Sequence, residues 1–449
     1  MKHLFSRLSP AQKIILSFLL VIFCGSLLLS LPWVQTASSQ ASYLDHLFTA
    51  VSMVCVTGLF TRSVVDTYNV WGQLLCMLLI QIGGLGILTF IGFFTMESRK
   101  KLSLKDRRIL RDSFSYGNNR TLGQFVRSIF ITTFSIEGLG ALLLMIRFIP
   151  KFGLRKGIFN SIFLAVSAFC NAGFDNFGND SLLGLQTDVL VNITLALLII
   201  TGGLGFMVWF DLATKLGGKQ KGLHFHTKVV LLLTAGLLVF GTVTSLWTEY
   251  NNPGTIGYLS FGDKLLVSFF QTVSMRTAGF ASIDYTAARP VTLFIYLLQM
   301  FLGGAPGGTA GGLKITTFLV LLLFARKEIL GLPHTNLGRR TLAPQLVQKA
   351  FGVTVIFQLT FLLGLLALGL VTDSSHRFIY LIFETVSALA TVGVTANITT
   401  SLNTAGMIVI MLLMFIGRVG PLTLMVSLSH YQPKKATTLH YSKADIMIG

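Results

Sequence analysis

Charge is scarce in this sequence. Asp, Glu, Lys and Arg make up 12% of its 449 residues, about half the ~25% usual in a soluble chain. Too little polar surface remains to coat a water-facing globule, which excludes a soluble enzyme or a disordered chain as the main reading. Acid is scarcer than base: 17 Asp and Glu stand against 35 Lys and Arg, a net charge of +18. Such an excess suits nucleic acid or an anionic surface. With 53% hydrophobic residues, the cytoplasmic face of a membrane explains it better, and no nucleic-acid partner is expected. Cysteine is nearly missing. Cys24, Cys55, Cys76 and Cys170 have no CxxC or ligand-like spacing and sit in or beside apolar runs, so neither a disulfide framework nor a metal site is expected. No GxGxxG flanked by strand and helix occurs, so the chain carries no nucleotide-binding domain of its own. The histidines are scattered, and the close pair His224 and His226 lies in a basic connector. No constellation of acids, histidines or metal ligands gathers, so the chain does not read as an enzyme.

What the chain has is long apolar runs, enough to cross a ~30 Å hydrocarbon core repeatedly. They cover 12–32, 71–96, 124–148, 187–213, 228–248, 290–327 with an interruption, 349–372 and 404–429. Between the members of each pair lies a shorter run, at 43–56, 157–171, 261–276 and 376–391, too short to span and suited to a re-entrant segment. The first long run also fits a signal peptide, with Lys2 and Arg7 before it and Ala37-Ser38-Ser39 after it, but Ile14–Leu31 exceeds the usual apolar region of such a leader. The expected fold is an all-α polytopic membrane protein with modules at 1–98, 99–215, 216–327 and 328–430 and a tail at 431–449. With the termini and connectors placed in the cytoplasm, most Lys and Arg fall inside, notably in 99–111, as the positive-inside rule requires. Arg147, Lys151, Arg155 and Lys156 fall outside against that trend. Asp175, Asp180, Asp284 and Asp373 also lie on the outer side, as charge at a mouth or as ordinary loop charge. Glu137 and Asp211 receive no role.

The short runs are copies of one another. Aligned on a glycine they read FTAVSMVCVTGL to Leu59, FLAVSAFCNAGF to Phe174, FFQTVSMRTAGF to Phe280 and FETVSALATVGV to Val394. A Phe stands ten residues before each glycine, and a Val-Ser pair recurs, shifted by one position in the third copy. The glycines Gly58, Gly173, Gly279 and Gly393 fall about a quarter of the chain apart, the mark of a fourfold internal repeat. A second echo lies inside the following long runs: Gly83-Gly84-Leu85-Gly86, Gly202-Gly203-Leu204-Gly205, Gly303-Gly304-Ala305-Pro306-Gly307 and Gly417-Arg418-Val419-Gly420. In the first two it reads as close helix packing through small residues.

A short helix that stops inside a membrane must have its unpaired backbone lining water or buried in protein. Its negative C-terminal end favours a cation at the membrane centre. The residues that follow, Val56-Thr57-Gly58, Asn171-Ala172-Gly173, Thr277-Ala278-Gly279 and Thr391-Val392-Gly393, are small, and each glycine permits φ > 0. Four such turns around one axis make a cage of carbonyl oxygens that replaces an ion's water. The expected architecture is therefore four helix–pore-helix–helix units around a pseudo-fourfold pore.

On these residues, and above all Thr272–Phe280, the chain resembles the Trk/Ktr/HKT family of potassium transporters, and the resemblance covers essentially its whole length. It is most similar to the Ktr branch, because it starts directly at the first unit. The resemblance implies potassium uptake, often sodium-stimulated, by a homodimer docked on a separate cytoplasmic ring of nucleotide-binding RCK subunits; the nucleotide then belongs to the partner. In this family a serine at the first filter glycine accompanies sodium selectivity, so Gly58 implies potassium. The connector 99–111 and the tail Gln432–Gly449 are candidate docking or dimer surfaces. The competing reading is a sodium- or proton-coupled secondary carrier, which usually needs membrane carboxylates.

The third unit's second long run contains Gly303, Gly304, Ala305, Pro306, Gly307, Gly308, Thr309, Ala310, Gly311, Gly312, Leu313 and Lys314. Each glycine costs a helix interior about 1 kcal/mol and the proline about 3, so the helix must break. A loop at that depth faces a cavity and reads as a gate beneath the filter, the role the resemblance also assigns it. Arg418, inside the last span, faces the interior or water by default; its spacing after Gly393 resembles the family's pore arginine. Lys314 closes the loop toward the cytoplasm. Glu384, near the start of the fourth short run, caps or buttresses it.

Overall fold

The structure is a computed structural model that describes residues 10–86, 122–178, 181–218, 220–372 and 377–420. Lys2, Arg7, the connector 99–111, Asp180, Asp373 and the tail 431–449 lie outside these residues.

Four long helices open four similar stretches of chain: α1 Pro10–Leu29, α4 Leu122–Phe152, α8 Phe225–Glu249 and α12 Pro344–Val371. After each comes a short helix: α2 Tyr43–Val54, α5 Leu154–Phe169, α9 Phe261–Ser274 and α13 Phe378–Leu389. A third element follows: α3 Val70–Leu85; α6 Val189–Gly203 with α7 Phe206–Leu216; α10 Pro290–Phe301 with α11 Ile315–Ile329; and α14 Thr404–Val419. Local chemistry fixes the starts. Ser42 and Asp45 form a reciprocal capping box on α2, and the Ser260 hydroxyl accepts from the Asp263 N–H on α9. Asn69, Asp188 and Asn403 cap α3, α6 and α14 in the same way, while Pro290 opens α10. Such caps satisfy N–H groups that lipid cannot.

The third elements differ from expectation. Among the described residues four helices are long and apolar enough to span singly, namely the four openers. The run 187–213, expected to be one span, turns by 97° between α6 and α7. The cause is Gly205, whose φ is +89°. The described parts of α3 and α14 end on glycines of the same kind, Gly86 at +81° and Gly420 at +91°. The second glycine echo is thus a stop signal as well as a packing one. Its first glycine is a close approach: a Cβ at Gly83, Gly202 or Gly417 would collide with the carbonyl oxygen of Val54, Phe169 or Leu389, at the end of the short helix in the same stretch.

The short helices form the interior. Phe48, Phe163, Phe270 and Phe383 are fully buried, while Trp247, Leu232 and Leu370 on the long helices face outward. Each third element packs on the next short helix, α3 on α5, α6 on α9 and α10 on α13, and α14 returns to α2. That closes a ring. Lipid is as apolar as leucine, so the ring is held by packing and hydrogen bonds rather than by expulsion of water. Among the described residues the one sheet is a two-residue-per-strand hairpin, Asn336–Leu337 against Arg340–Thr341, between α11 and α12.

Candidate functional site

The four short helices end in matching turns. Val56, Asn171, Thr277 and Thr391 have φ between +53° and +65°, and Gly58, Gly173, Gly279 and Gly393 lie between +70° and +106°. Between them Thr57, Ala172, Ala278 and Val392 keep ordinary negative φ. Alternation of the backbone's hand points successive carbonyls the same way, and non-glycine residues at φ > 0 carry strain that the surroundings must hold. A serine holds it. The N–H groups of Thr57, Ala172 and Val392 donate to the carbonyls of Ser52, Ser167 and Ser387, five residues back, each at 2.8 Å. The N–H groups of Gly58 and Gly393 donate to the Ser52 and Ser387 hydroxyls.

The third turn closes differently. Ala278 N–H reaches the Ser274 carbonyl four residues back, at 2.9 Å, and the Ser274 hydroxyl donates to the Phe280 carbonyl. One residue fewer separates this serine from its glycine. The shifted Val-Ser pair is that missing residue. The Phe alignment needs correcting with it: Phe270, not Phe269, takes the fully buried place of Phe48, Phe163 and Phe383.

The structure brings all four triplets together in cyclic order. A Cβ at Gly58 would lie 2.8 Å from the Ala172 oxygen, one at Gly173 2.7 Å from the Ala278 oxygen, and one at Gly279 2.7 Å from the Val392 oxygen. One at Gly393 would collide with the Thr57 oxygen, closing the circle. The Thr57 and Thr391 hydroxyls are buried there with no hydrogen-bond partner. Side chains on the short helices clamp the chain just beyond each turn. Thr61 donates to Asp45 at 2.6 Å, Asn176 to Asn160 at 2.7 Å, and Gln271 to Ser282 at 2.7 Å. Glu384, mid-helix rather than near the start, accepts from Thr395 at 2.7 Å and from Thr399. Asp284 is exposed. Asp175, two residues past Gly173, is buried; burial pushes its carboxyl up to about 6, against the Phe177 N–H that it accepts.

Gly303–Gly312 lie under these turns, between α10 and α11, and contact the second, third and fourth stretches. Ala305 N–H and Thr309 N–H donate to Gly203 and Gly202, and Phe206 N–H donates to Gly307. The Thr309 hydroxyl reaches the Phe169 carbonyl at 3.1 Å. Gly311 N–H donates to the Thr277 hydroxyl at 3.1 Å, and a Cβ there would collide with the Thr391 hydroxyl. Arg418 donates to the carbonyls of Thr309, Gly83 and Gly84. By register it replaces Gly84, Gly203 and Gly304. Lys314 caps the segment, with Nζ 2.7 Å from the Ala310 carbonyl and 3.3 Å from that of Gly311. Pro306 and Gly308 complete the bend beside Gly205. Below lies a cavity of about 340 Å³ lined by Gly311, Lys314, Phe357 and Arg418 among others.

Three polar groups here were not read from sequence. Arg276 sits within the third repeat motif, which assigns it no role. It is 5% exposed, and among the described residues its side chain's one hydrogen-bond partner is Thr234, at 3.5 Å. Glu137 is buried and accepts from the Gln81 amide at 3.0 Å, joining α4 to α3. Asp211 accepts from the His224 N–H at 2.9 Å and from its ring, tying α7 to the head of α8. Buried acids are therefore commoner than the sequence suggested, since each sits beside an apolar run with its partner far along the chain. Among the described residues no group of three His, Cys, Asp or Glu side chains is placed to hold a metal.

The family model described as TrkH, cation transport protein, matches residues 7–438. The chain is 39% identical to Ktr system potassium uptake protein B of Bacillus subtilis, over 99% of this chain and 97% of that protein. It is 38% identical to the potassium/sodium uptake protein NtpJ of Enterococcus hirae, over 100% and 99%. The solved potassium transporter TrkH from Vibrio parahaemolyticus superposes with a TM-score of 0.73 at 18% identity, covering 93% of this chain and 84% of that one. At that identity the likeness is one of fold.

Proposed function

Because the chain belongs to the TrkH family of cation transport proteins, we propose that it takes up potassium across the cell membrane through the ring of turns around Gly58, Gly173, Gly279 and Gly393. The modules 1–98, 99–215, 216–327 and 328–430 each supply one quarter of the pore. The observation that carries this reading is the closed cycle of glycine-to-carbonyl approaches. Backbone oxygens crowded around one axis, on the C-terminal ends of four helices, offer a cation a substitute for its hydration shell. The unpartnered Thr57 and Thr391 hydroxyls at the same level support it. K⁺ is the cargo and the chain holds no resident cofactor.

The segment Gly303–Gly312 acts as the gate. Arg418 and Lys314 fasten it through carbonyls, and their charges oppose a cation leaving the ring. A cytoplasmic nucleotide-binding ring docks on the basic connectors and governs the fastening. The chain works as a homodimer with both termini in the cytoplasm. The relative named for both potassium and sodium uptake makes sodium dependence part of the proposal. The test is rubidium influx into liposomes holding the purified chain, with and without the cytoplasmic partner. Influx that rises with rubidium, is competed by potassium and is stimulated by the partner fits the proposal. Absence of rubidium flux under every condition refutes it.

Glu137 gives the coupled carrier its one specific support, as an acid inside the membrane that transporters use for coupling. That reading predicts flux dependent on a second ion gradient and lost in Glu137→Gln.

A further inference from the structure

The outer end of α4 carries a cationic pocket that the ion path does not use. We propose that this pocket binds the phosphate headgroup of an anionic phospholipid in the outer leaflet. Arg147 and Lys151 stand one turn apart on the same face of α4, and with Pro150, Gly184, Leu185, Thr187 and Asp188 they line a cavity of about 450 Å³. Arg155 and Lys156 follow in the first turn of α5, both exposed. That turn holds no acidic residue. Two cations at the positive end of a helix are unfavourable unless an anion answers them. Among the described residues, the carboxylate paired within the cluster is Asp188, on the Arg147 Nε. Among the described residues, the two pocket cations and the two on the adjacent turn of α5 stand against this one paired carboxylate, a positive excess, and a planar guanidinium suits a phosphate.

The apolar surroundings choose the lipid over a free ion. Leu139, Leu142 and Ile146 on α4 and Val189, Ile193 and Leu197 on α6 are exposed along the membrane-facing flank. Both rows lead up to the Arg147–Asp188 pair, so acyl chains lie along apolar surface while the phosphate meets the cations. Basic side chains at a membrane boundary extend toward headgroups in this way. The same arrangement accounts for four positive charges on the side where the positive-inside rule expects few.

The experiment is thermal unfolding of the purified chain in mixed micelles, titrated with phosphatidylglycerol, phosphatidylcholine or inorganic phosphate. Phosphatidylglycerol raises the midpoint by several degrees, and the other two do not. The combined variant R147Q/K151Q/R155Q/K156Q loses that rise, whereas R147K/R155K, which keeps the charge, retains most of it. Should the combined variant fail to fold, Lys151→Gln and Lys156→Gln singly each reduce retention of co-purified phosphatidylglycerol in native mass spectra. Equal stabilisation by phosphatidylcholine, the same rise from inorganic phosphate alone, or an undiminished response in the glutamine variants overturns the proposal.

Discussion

The third stretch of the chain and the other three solve one problem in two ways. In the first, second and fourth, five residues lie between the supporting serine and the filter glycine, and the strained turn is tied back to that serine's carbonyl. In the third, four residues do the same, the serine points its hydroxyl onward to Phe280, and a buried arginine stands behind the turn where the others have Cys55, Cys170 and Ala390. The third is also where the following helix breaks into a ten-residue loop. Three quarters are built alike and hold the ring; the odd quarter carries the loop proposed as the gate. Repetition supplies symmetry at the axis, and the departure from repetition coincides with the proposed gate.

The most severe way to break that comparison is to erase the length difference. Inserting one alanine between Met275 and Arg276 should abolish rubidium influx, since one added residue rotates every carbonyl of a turn that others contact on both sides. Wild-type influx in the insertion would strip the shorter closure of its importance. Next in size is removal of the loop. Deleting Gly307–Gly312 should raise influx without the partner by roughly tenfold or more, the scale of a gate held by about 1.4 kcal/mol or more; unchanged flux and intact regulation would refute the gate.

The glycines differ among themselves as well. Gly58→Ser places its Cβ 2.8 Å from one oxygen, whereas Gly393→Ser collides with the Thr57 oxygen. Gly58→Ser should therefore keep transport while lowering K⁺ over Na⁺ selectivity about tenfold, a 1.4 kcal/mol change, and Gly393→Ser should lose transport. Equal phenotypes would show the ring to be less unequal than its geometry. Arg418→Lys keeps the charge but not the fork that spans three carbonyls. Hydrogen bonds to charged groups contribute about 1.5–3 kcal/mol, so basal influx should rise several-fold, and further in Arg418→Gln. Identical basal flux in both variants would assign the fastening elsewhere. The smallest effect concerns Asp175. With its carboxyl pushed up to about 6, it is charged at pH 7.5 and neutral at pH 5. Acidification should weaken rubidium uptake at low concentration by about twofold through loss of mouth charge. Asp175→Asn should start at the lower value and show no such pH step.

Much of this was legible in the sequence because it repeats. The order of long and short helices, the four filter triplets and the broken helix at Gly303–Gly312 follow from apolar length, glycine register and proline chemistry, all local properties. The shortened third turn was visible as a shifted Val-Ser pair. It was obscured by Phe269 and Phe270 standing side by side, either of which satisfies the register. The 97° turn at Gly205 is hidden, because the run stays apolar on both sides of Gly205 and its Gly-Gly-Leu-Gly matches that of α3. The partners of the buried acids are hidden for another reason. Asp45, Glu137 and Glu384 find their partners at Thr61, Gln81 and Thr395, and a carboxylate's company depends on how the helices are folded together.

Gly311 has its amide on the Thr277 hydroxyl and no room for a side chain against Thr391. In the proposed mechanism the gate thus rests on the very residues proposed to hold the cargo. Linkage between two such events is reciprocal: lifting the loop must change how firmly a cation sits above it, and the seated cation must bias the loop by the same factor. Occupancy of the ring would then be felt at the cytoplasmic side even before the partner acts.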